Sequence, residues 1–374
     1  MAATPVYLDY NATALPRPAA IAAVTKALGL CGNPSSVHGF GRAARRCLED
    51  AREAIAALVG ATPAAVVFTS GGTEANRLAL QGLGRRRILA SAVEHPSVLQ
   101  GGTVETIPVD GEGVVDLAAL ERLLAAGGEP ALVSVMLANN ETGVIQPLSA
   151  VAELARRHGA LVHGDAVQAL GKIEVDIGRL GVDLLSLSAH KLGGPQGVGA
   201  LVLADADREL RPLLVGGGQE RGRRSGTENL PGIAGFAAAA VEAVAELPEI
   251  GRIGALRDRL ERAIRNTVPG LTVFGAGADR LPNTSCLAVP GLTAQSVLMA
   301  LDLAGIAVSS GSACSSGKVA PSHVLTAMGR EVLAGSAIRV SLGWASRGQD
   351  VDRFVEAFGQ LANRIRSAPA VSAA

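Results

Sequence analysis

The sequence predicts an α/β fold, with a large domain built on a mostly parallel sheet flanked by helices and a smaller α+β domain. Three observations predict it. Short apolar runs such as Ala131-Leu-Val-Ser-Val-Met-Leu137 lack polar alternation, as strands buried on both faces require. Between them lie amphipathic stretches with apolar residues at helical spacing, so strand and helix alternate. Near residue 245, after an Ala-rich stretch, that alternation gives way to helices followed by pairs of strands. The 374 residues exceed one average domain. The expected division is 15–245 for the large domain and 1–14 with 246–374 for the small one.

Taken in order, residues 1–14 read as extended and punctuated by Pro and Thr. Ile21, Val24 and Leu28 recur at helical spacing from Pro18 onward, and Cys31-Gly-Asn-Pro-Ser-Ser36 ends that helix. A second helix spans about 41–59, with Leu48, Ile55 and Leu58 on one stripe. The alternation follows: strands at 65–69, 87–90, 104–109, 131–137, 160–163, 182–187 and 198–203, helices at 73–83, 116–126 and 148–158, and a helical turn at 96–100. Asp116 is the expected cap of its helix. Beyond the Gly-rich loop Gly216-Gly-Gly-Gln-Glu-Arg-Gly222 comes the Ala-rich helix, about 232–247. The remainder reads as helices at 256–267, 294–304 and 351–365 on one side of a small mixed sheet, with strands at 271–274, 284–289, 306–308 and 338–342.

Composition excludes several function classes. Hydrophobic residues make up 48% and charged residues 18%, which suits a large core rather than disorder. Lys plus Arg (34) balances Asp plus Glu (34), so no bulk field favours nucleic acid or an anionic membrane. The Arg clusters at 85–87 and 221–224 have no interleaved aromatic residues. The N-terminus has neither a basic stretch nor a long apolar one, and the Ala-rich run is broken by Glu242 and Glu246. The four cysteines, at 31, 47, 286 and 314, form no CxxC pair, which fits a reduced, cytoplasmic setting. Cys31, Cys47 and Cys286 read as small core hydrophobes.

The chemistry gathers after the strand ends, where parallel sheets bind their ligands. Ser70-Gly-Gly-Thr-Glu-Ala75 opens a helix after a strand; Gly72 lets the backbone approach an anion, and Thr73 offers a hydroxyl. Alone, this segment reads as a glycine turn with Thr73 as the helix N-cap. Glu94-His95-Pro96 puts a histidine where its ring could stack on a flat group. Asn139 and Asn140 follow the next strand, and Asp165 with Gln168 the one after. A carboxylate at the buried end of an apolar strand needs a cation or a donor. His163 and Asp165 lack a third ligand at metal spacing, so no metal is expected. Lys191, in Ser186-Leu-Ser-Ala-His-Lys-Leu-Gly-Gly194, sits at a strand-to-loop junction with His190 beside it, where burial lowers an amine's proton affinity. A lysine, a buried aspartate, an aromatic histidine and a phosphate-binding turn suit pyridoxal phosphate, which needs an amine for its aldehyde and a carboxylate for its ring nitrogen. Ser188 and His190 flank the lysine and could donate to the phosphate. In Val308-Ser-Ser-Gly-Ser-Ala-Cys-Ser-Ser-Gly317, Cys314 stands on a Ser/Gly loop where a thiolate could act as nucleophile.

Val6-Tyr-Leu-Asp-Tyr-Asn-Ala-Thr13, Ser70-Gly-Gly-Thr-Glu-Ala-Asn76, Glu94-His95-Pro96, Asn139-Asn-Glu-Thr-Gly143, His163-Gly-Asp-Ala-Val-Gln168, Ser188-Ala-His-Lys191, Arg224-Ser-Gly-Thr227 and Ser309-Ser-Gly-Ser-Ala-Cys-Ser315 resemble the cysteine desulfurases of the NifS/IscS type. These are class V aminotransferases of the pyridoxal-phosphate-dependent transferase fold type I, and the resemblance runs from residue 6 to about 343. It implies a homodimer with active sites between subunits. By motif, Lys191 would bind the cofactor aldehyde, Asp165 would pair with the ring nitrogen and His95 would stack on the ring. Asn140 and Gln168 would contact its 3-hydroxyl side, and Thr73, Ser188 and His190 the phosphate. Thr227 would reach the phosphate of the partner subunit, and Arg339 would take the substrate α-carboxylate.

The resemblance also implies an order of events. L-Cysteine displaces Lys191 from the cofactor, Lys191 moves the α-proton, and His95 shuttles protons to the substrate thiol. The Cys314 thiolate attacks the substrate sulfur, alanine leaves, and the resulting persulfide passes its sulfur to an iron–sulfur scaffold or another acceptor. The loop at about 309–321 would swing between site and acceptor. One departure stands out: Trp344 follows Ser-Leu-Gly where the family commonly has arginine. A selenocysteine lyase or another class V lyase that does not use Cys314 is the alternative, separated by a Cys314→Ala variant. A non-catalytic scaffold would lack the yellow absorbance of the bound cofactor.

Overall fold

The computed structural model describes residues 4–311 and 320–367. Cys314 and the tail after Ser367 lie outside the described residues. The chain opens on a two-residue strand, β1 (Val6–Tyr7). The large sheet is then built from β2 (Val66–Thr69), β3 (Arg87–Ser91), β4 (Glu105–Ile107), β5 (Ala131–Met136), β6 (Leu161–Asp165), β7 (Leu184–Ser188) and β8 (Gly199–Leu203). Their order is β2-β8-β7-β6-β5-β3-β4. β8 runs antiparallel to both neighbours, and every other pair is parallel.

Successive side chains of these strands feed two cores, as the two-residue period requires. Val67, Leu132, Leu184 and Leu201 pack under the helix Gly72–Gly82. Phe68, Val133, Leu185 and Val202 face the other way, toward the helices Gly39–Leu58 and Leu230–Ala245. Burial on both faces explains why the strands read as unbroken apolar runs. Asp116 caps the helix Leu117–Ala125 as expected, accepting from the N–H of Ala119 at 2.9 Å. In the Gly-rich loop, Glu220 and Arg221 hold left-handed backbone angles (φ 49° and 58°) that side chains disfavour. A buried two-pronged pair holds that loop, with Arg52 donating to Glu220 at 2.7 and 2.8 Å.

The second unit contains β9 (Thr272–Phe274), β10 (Thr284–Ala288), β11 (Ile306–Ala307), β12 (Ser309–Ser310) and β13 (Ile338–Ser341). Its sheet, ordered β12-β13-β10-β9, is antiparallel throughout rather than mixed. The parallel component is a separate ladder between β1 and β11. Leu8, Ile253, Leu260, Leu287, Phe354 and Phe358 belong to a core of its own. Val6 and Leu8 thus pack in this second unit.

Other expectations change in detail. The strand at 104–109 shrinks to Glu105–Ile107, an edge strand that stops before Pro108, which has no N–H to donate. The helix expected from 256 begins at Gly251. Cys286 is buried and Cys47 half-buried, but Cys31 is exposed: it lies in the break after the first helix, where no apolar face covers it. Among the described residues no single helix is long and apolar enough to cross a membrane.

Candidate active site

A cavity of about 390 Å³ opens beyond the carboxyl ends of the central strands. Strand register makes it: Met136 pairs with Asp165, so β5 and β6 end level, and Asp165 pairs with Ser186, so β7 runs two residues further, to Ser188. Asp165 and Ser188 end β6 and β7 at this cavity, and the segments that follow the strands bring Asn140, Gln168, His190 and Lys191 to line it. Gly72 and Thr73 arrive from the first turn after β2, His95 from the loop after β3, and Arg339 from β13 of the other sheet.

Lys191 ends a single helical turn, Ala189–Lys191, directly after β7. Its Nζ donates to the carbonyls of Asn11 and Ala12, each at 2.8 Å. The segment that carries those carbonyls is laced to the lysine loop: the N–H of Ala14 donates to His190 and that of Arg17 to Gly193, both at 2.8 Å. His190 Nδ1 lies 3.1 Å from the hydroxyl of Thr13. Burial, with the Lys191 charge adding to it, lowers the His190 imidazole to about 4, so the ring is neutral near neutral pH.

Asp165 is 5% exposed, and donors rather than a cation satisfy it. Oδ2 accepts from the Asn76 amide at 2.7 Å, and Oδ1 from the N–H of Val167 at 2.9 Å. The same Asn76 nitrogen donates to Ser97 Oγ at 2.9 Å, and Ser97 Oγ lies 2.8 Å from His95 Nδ1. Because the N–H of Ser97 also donates to Nδ1, that nitrogen is an acceptor and the neutral ring carries its proton on Nε2. Burial lowers the proton affinity of His95, Asp165 opposes the shift, and the charges of Lys191 and His323 add to it. Glu94, next to it, is fully buried and accepts from the N–H of Met136 at 2.7 Å, tying the His95 loop to the end of β5. Burial pushes the Glu94 carboxyl well above the usual range.

Arg339 is 4% exposed and donates to the carbonyl of Asn140 at 3.0 Å and to Asp9 at 2.8 Å. Gln168 donates to the carbonyl of Asn11 at 2.9 Å. At the other end of the cavity, Gly71 rather than Thr73 caps the helix Gly72–Gly82, so Thr73 lies within its first turn. A Cβ on Gly72 would come within 2.7 Å of Val167, so only glycine permits this approach of helix and loop. Thr227 does not reach this cavity; it lines a separate depression with Ser70 and Arg224, beside the 3.0 Å Arg224–Glu74 ion pair.

Asn11, Asn76, Glu94 and Ser97 hold the site together, yet sequence reasoning gave them no role. Asn11 and Asn76 sit inside motifs already noted, but nothing in a linear pattern shows that Asn76 meets residue 165.

The family model for aminotransferase class V matches residues 6–354. This chain belongs to the class V aminotransferase family. It is 46% identical to a cysteine desulfurase of Cereibacter sphaeroides over 97% of each chain. It is 45% identical to one of Klebsiella pneumoniae, over 97% of this chain and 94% of the other. Among solved structures, a NifS-like protein from Rickettsia africae superposes with a TM-score of 0.90 at 36% identity, covering 96% of this chain and 99% of that one. The fold is fold type I of the pyridoxal-phosphate-dependent enzymes, and the family depends on that cofactor. The cavity suits it. Ser188 Oγ, Asn76 Oδ1 and Arg339 Nε are buried without a hydrogen-bond partner among the described residues, and all three residues line the same space. Buried polar atoms of this kind call for a polar ligand.

Proposed function

We propose that this chain is a pyridoxal-phosphate-dependent cysteine desulfurase, converting L-cysteine to L-alanine and passing the sulfur on. The observation that carries the reading is the meeting of Lys191, Asp165, His95 and Arg339 at one cavity, from segments far apart in sequence. When bound, pyridoxal phosphate supplies an aldehyde that takes up an amine and a cationic ring that draws electrons from the substrate's α-carbon.

The residues divide the work. Lys191 would supply the amine that holds the aldehyde, and its Nζ would move the α-proton. Asp165 pairs with the ring nitrogen, its carboxylate kept in place by Asn76 and Val167. His95 would stack on the ring and would exchange a proton with the substrate thiol through Nε2. Asn140 and Gln168 would contact the 3-hydroxyl side. Thr73, Ser188, His190 and the backbone at Gly72 hold the phosphate, and Thr227 serves the phosphate of a second copy in a homodimer. Arg339 takes the α-carboxylate through its unpartnered edge. The Cys314 thiolate bonds to the substrate sulfur while the carbon–sulfur bond breaks. The electron pair of that bond stays on carbon, which takes a proton and leaves as the methyl group of alanine.

The persulfide left on Cys314 passes to an iron–sulfur scaffold or another acceptor, in a reduced cytoplasmic setting without nucleic acid or membrane as partner. Separate apolar cores support the division into 15–245 and 1–14 with 246–374. Incubated with pyridoxal phosphate, L-cysteine and a thiol reductant, the chain releases alanine and sulfide in equal amounts, and Lys191→Ala releases neither. Alanine formation that survives Lys191→Ala contradicts the reading.

A further inference from the structure

Lys172 is a buried amine that the motif reading did not use. It is 8% exposed, and among the described residues no carboxylate lies within ion-pair distance of it. Its Nζ donates instead to two neutral oxygens, Gln168 Oε1 at 2.7 Å and Asn11 Oδ1 at 3.0 Å. Burial, then the charges of Lys191 and Arg339, push its proton affinity well below the ordinary range. Burying an amine that has only neutral oxygens for partners is costly, so methionine would fill this place more cheaply.

Its partners show what the amine accomplishes there. A carboxamide has nearly the same shape in both orientations, so its neighbours decide which end faces where. Lys172 claims the oxygen of Gln168, which leaves the Gln168 amide group to donate to the carbonyl of Asn11 at 2.9 Å and to face the cavity. Lys172 and Asn283 claim Asn11 Oδ1, which leaves the Asn11 amide to donate to Asn140 and Thr284. The Asn11 carbonyl then receives both Gln168 and Lys191.

We propose that Lys172 is a positioning residue: by donating to Gln168 and Asn11 it fixes both carboxamides, and with them the carbonyl on which the Lys191 amine rests. This role rests on the reading of Lys191 as the lysine that takes the cofactor aldehyde. The charged groups around the pair are His95, His190, Asp165 and Arg339 on the cavity side. Arg17, Glu246, Glu249 and Arg252 line a second cavity that Lys172 and Lys191 both touch.

The test follows capture of pyridoxal phosphate by the stripped full-length chain across a pH series, with borohydride reduction and peptide mapping of the adduct. Lys172→Met is expected to slow capture about tenfold at a fixed pH near neutrality and to shift the pH profile by about one unit. Lys172→Arg, which keeps the donor, restores most of both. An unshifted profile in Lys172→Met, with the adduct on Lys191, overturns the role of Lys172 and leaves the functional reading standing. An adduct on another lysine overturns the functional reading itself. If Lys172→Met does not fold, Gln168→Leu removes the oriented amide while keeping Lys172. The proposal requires the same shift there, and an unshifted profile refutes it.

Discussion

His163 lies wholly inside the large sheet, with Nδ1 2.9 Å from the hydroxyl of Ser134 and Nε2 2.9 Å from that of Ser186. Each nitrogen has a hydroxyl partner from a neighbouring strand, which makes the ring a cross-sheet brace. Burial, opposed by Asp165, lowers it to about 4. The unfolded chain, with an ordinary imidazole, therefore binds a proton that the folded chain refuses. This stabilisation is complete above about pH 6.5 and is lost as the pH falls from there through about 4, amounting to about 3 kcal/mol. Urea unfolding at about pH 7.5 and about pH 5 should show about 2 kcal/mol of that loss, and His163→Asn should remove this share while leaving the similar one that His190 contributes; an equal loss in the variant contradicts the assignment. The need of Asp165 for a partner was legible from the sequence, because an apolar strand ends on a carboxylate. Its partner was not, since Asn76 comes from a helix 89 positions earlier. Cys31 was misread for the opposite reason: apolar neighbours in sequence say nothing about cover in space.

The element that joins site to scaffold is the segment 8–17. Leu8 packs in the small-unit core, Asn11 and Ala12 hold Lys191, and Arg17 reaches Glu242 at 3.2 Å and Glu246 at 2.8 Å on the Ala-rich helix. Trp344, the departure from the family pattern, closes this strap. Its ring nitrogen donates to the carbonyl of Leu15 at 3.0 Å, and the Arg17 guanidinium lies 5.5 Å from its ring centroid. Trp344→Ala should cost about 1–2 kcal/mol, the sum of one hydrogen bond and one cation–π contact. Limited proteolysis should then cut faster within residues 8–17, and an unchanged cleavage rate contradicts the strap. Helices and buried strands could be read from periodicity because the sheet is covered on both faces. The strap could not, because an extended segment whose carbonyls accept from distant side chains has no period.

At the scale of the molecule, a mostly parallel sheet and an antiparallel one share a cavity that neither completes alone: Asp165 and Lys191 come from the first, Arg339 from the second. The alternation of apolar strands and amphipathic helices announced the first sheet. The second was harder to read, because its strands are short, with β9 three residues long and β12 only two. Sulfur transfer then requires a nucleophile from the small unit to meet a substrate bound mainly by the large one. The most direct measurement gives the holoenzyme one equivalent of L-cysteine carrying isotopically labelled sulfur, without reductant, and maps the label by peptide mass spectrometry. The label should appear on Cys314 as a persulfide, with alanine formed in equal amount and neither product from Cys314→Ser. Free labelled sulfide, released at the same rate by Cys314→Ser, would contradict the account.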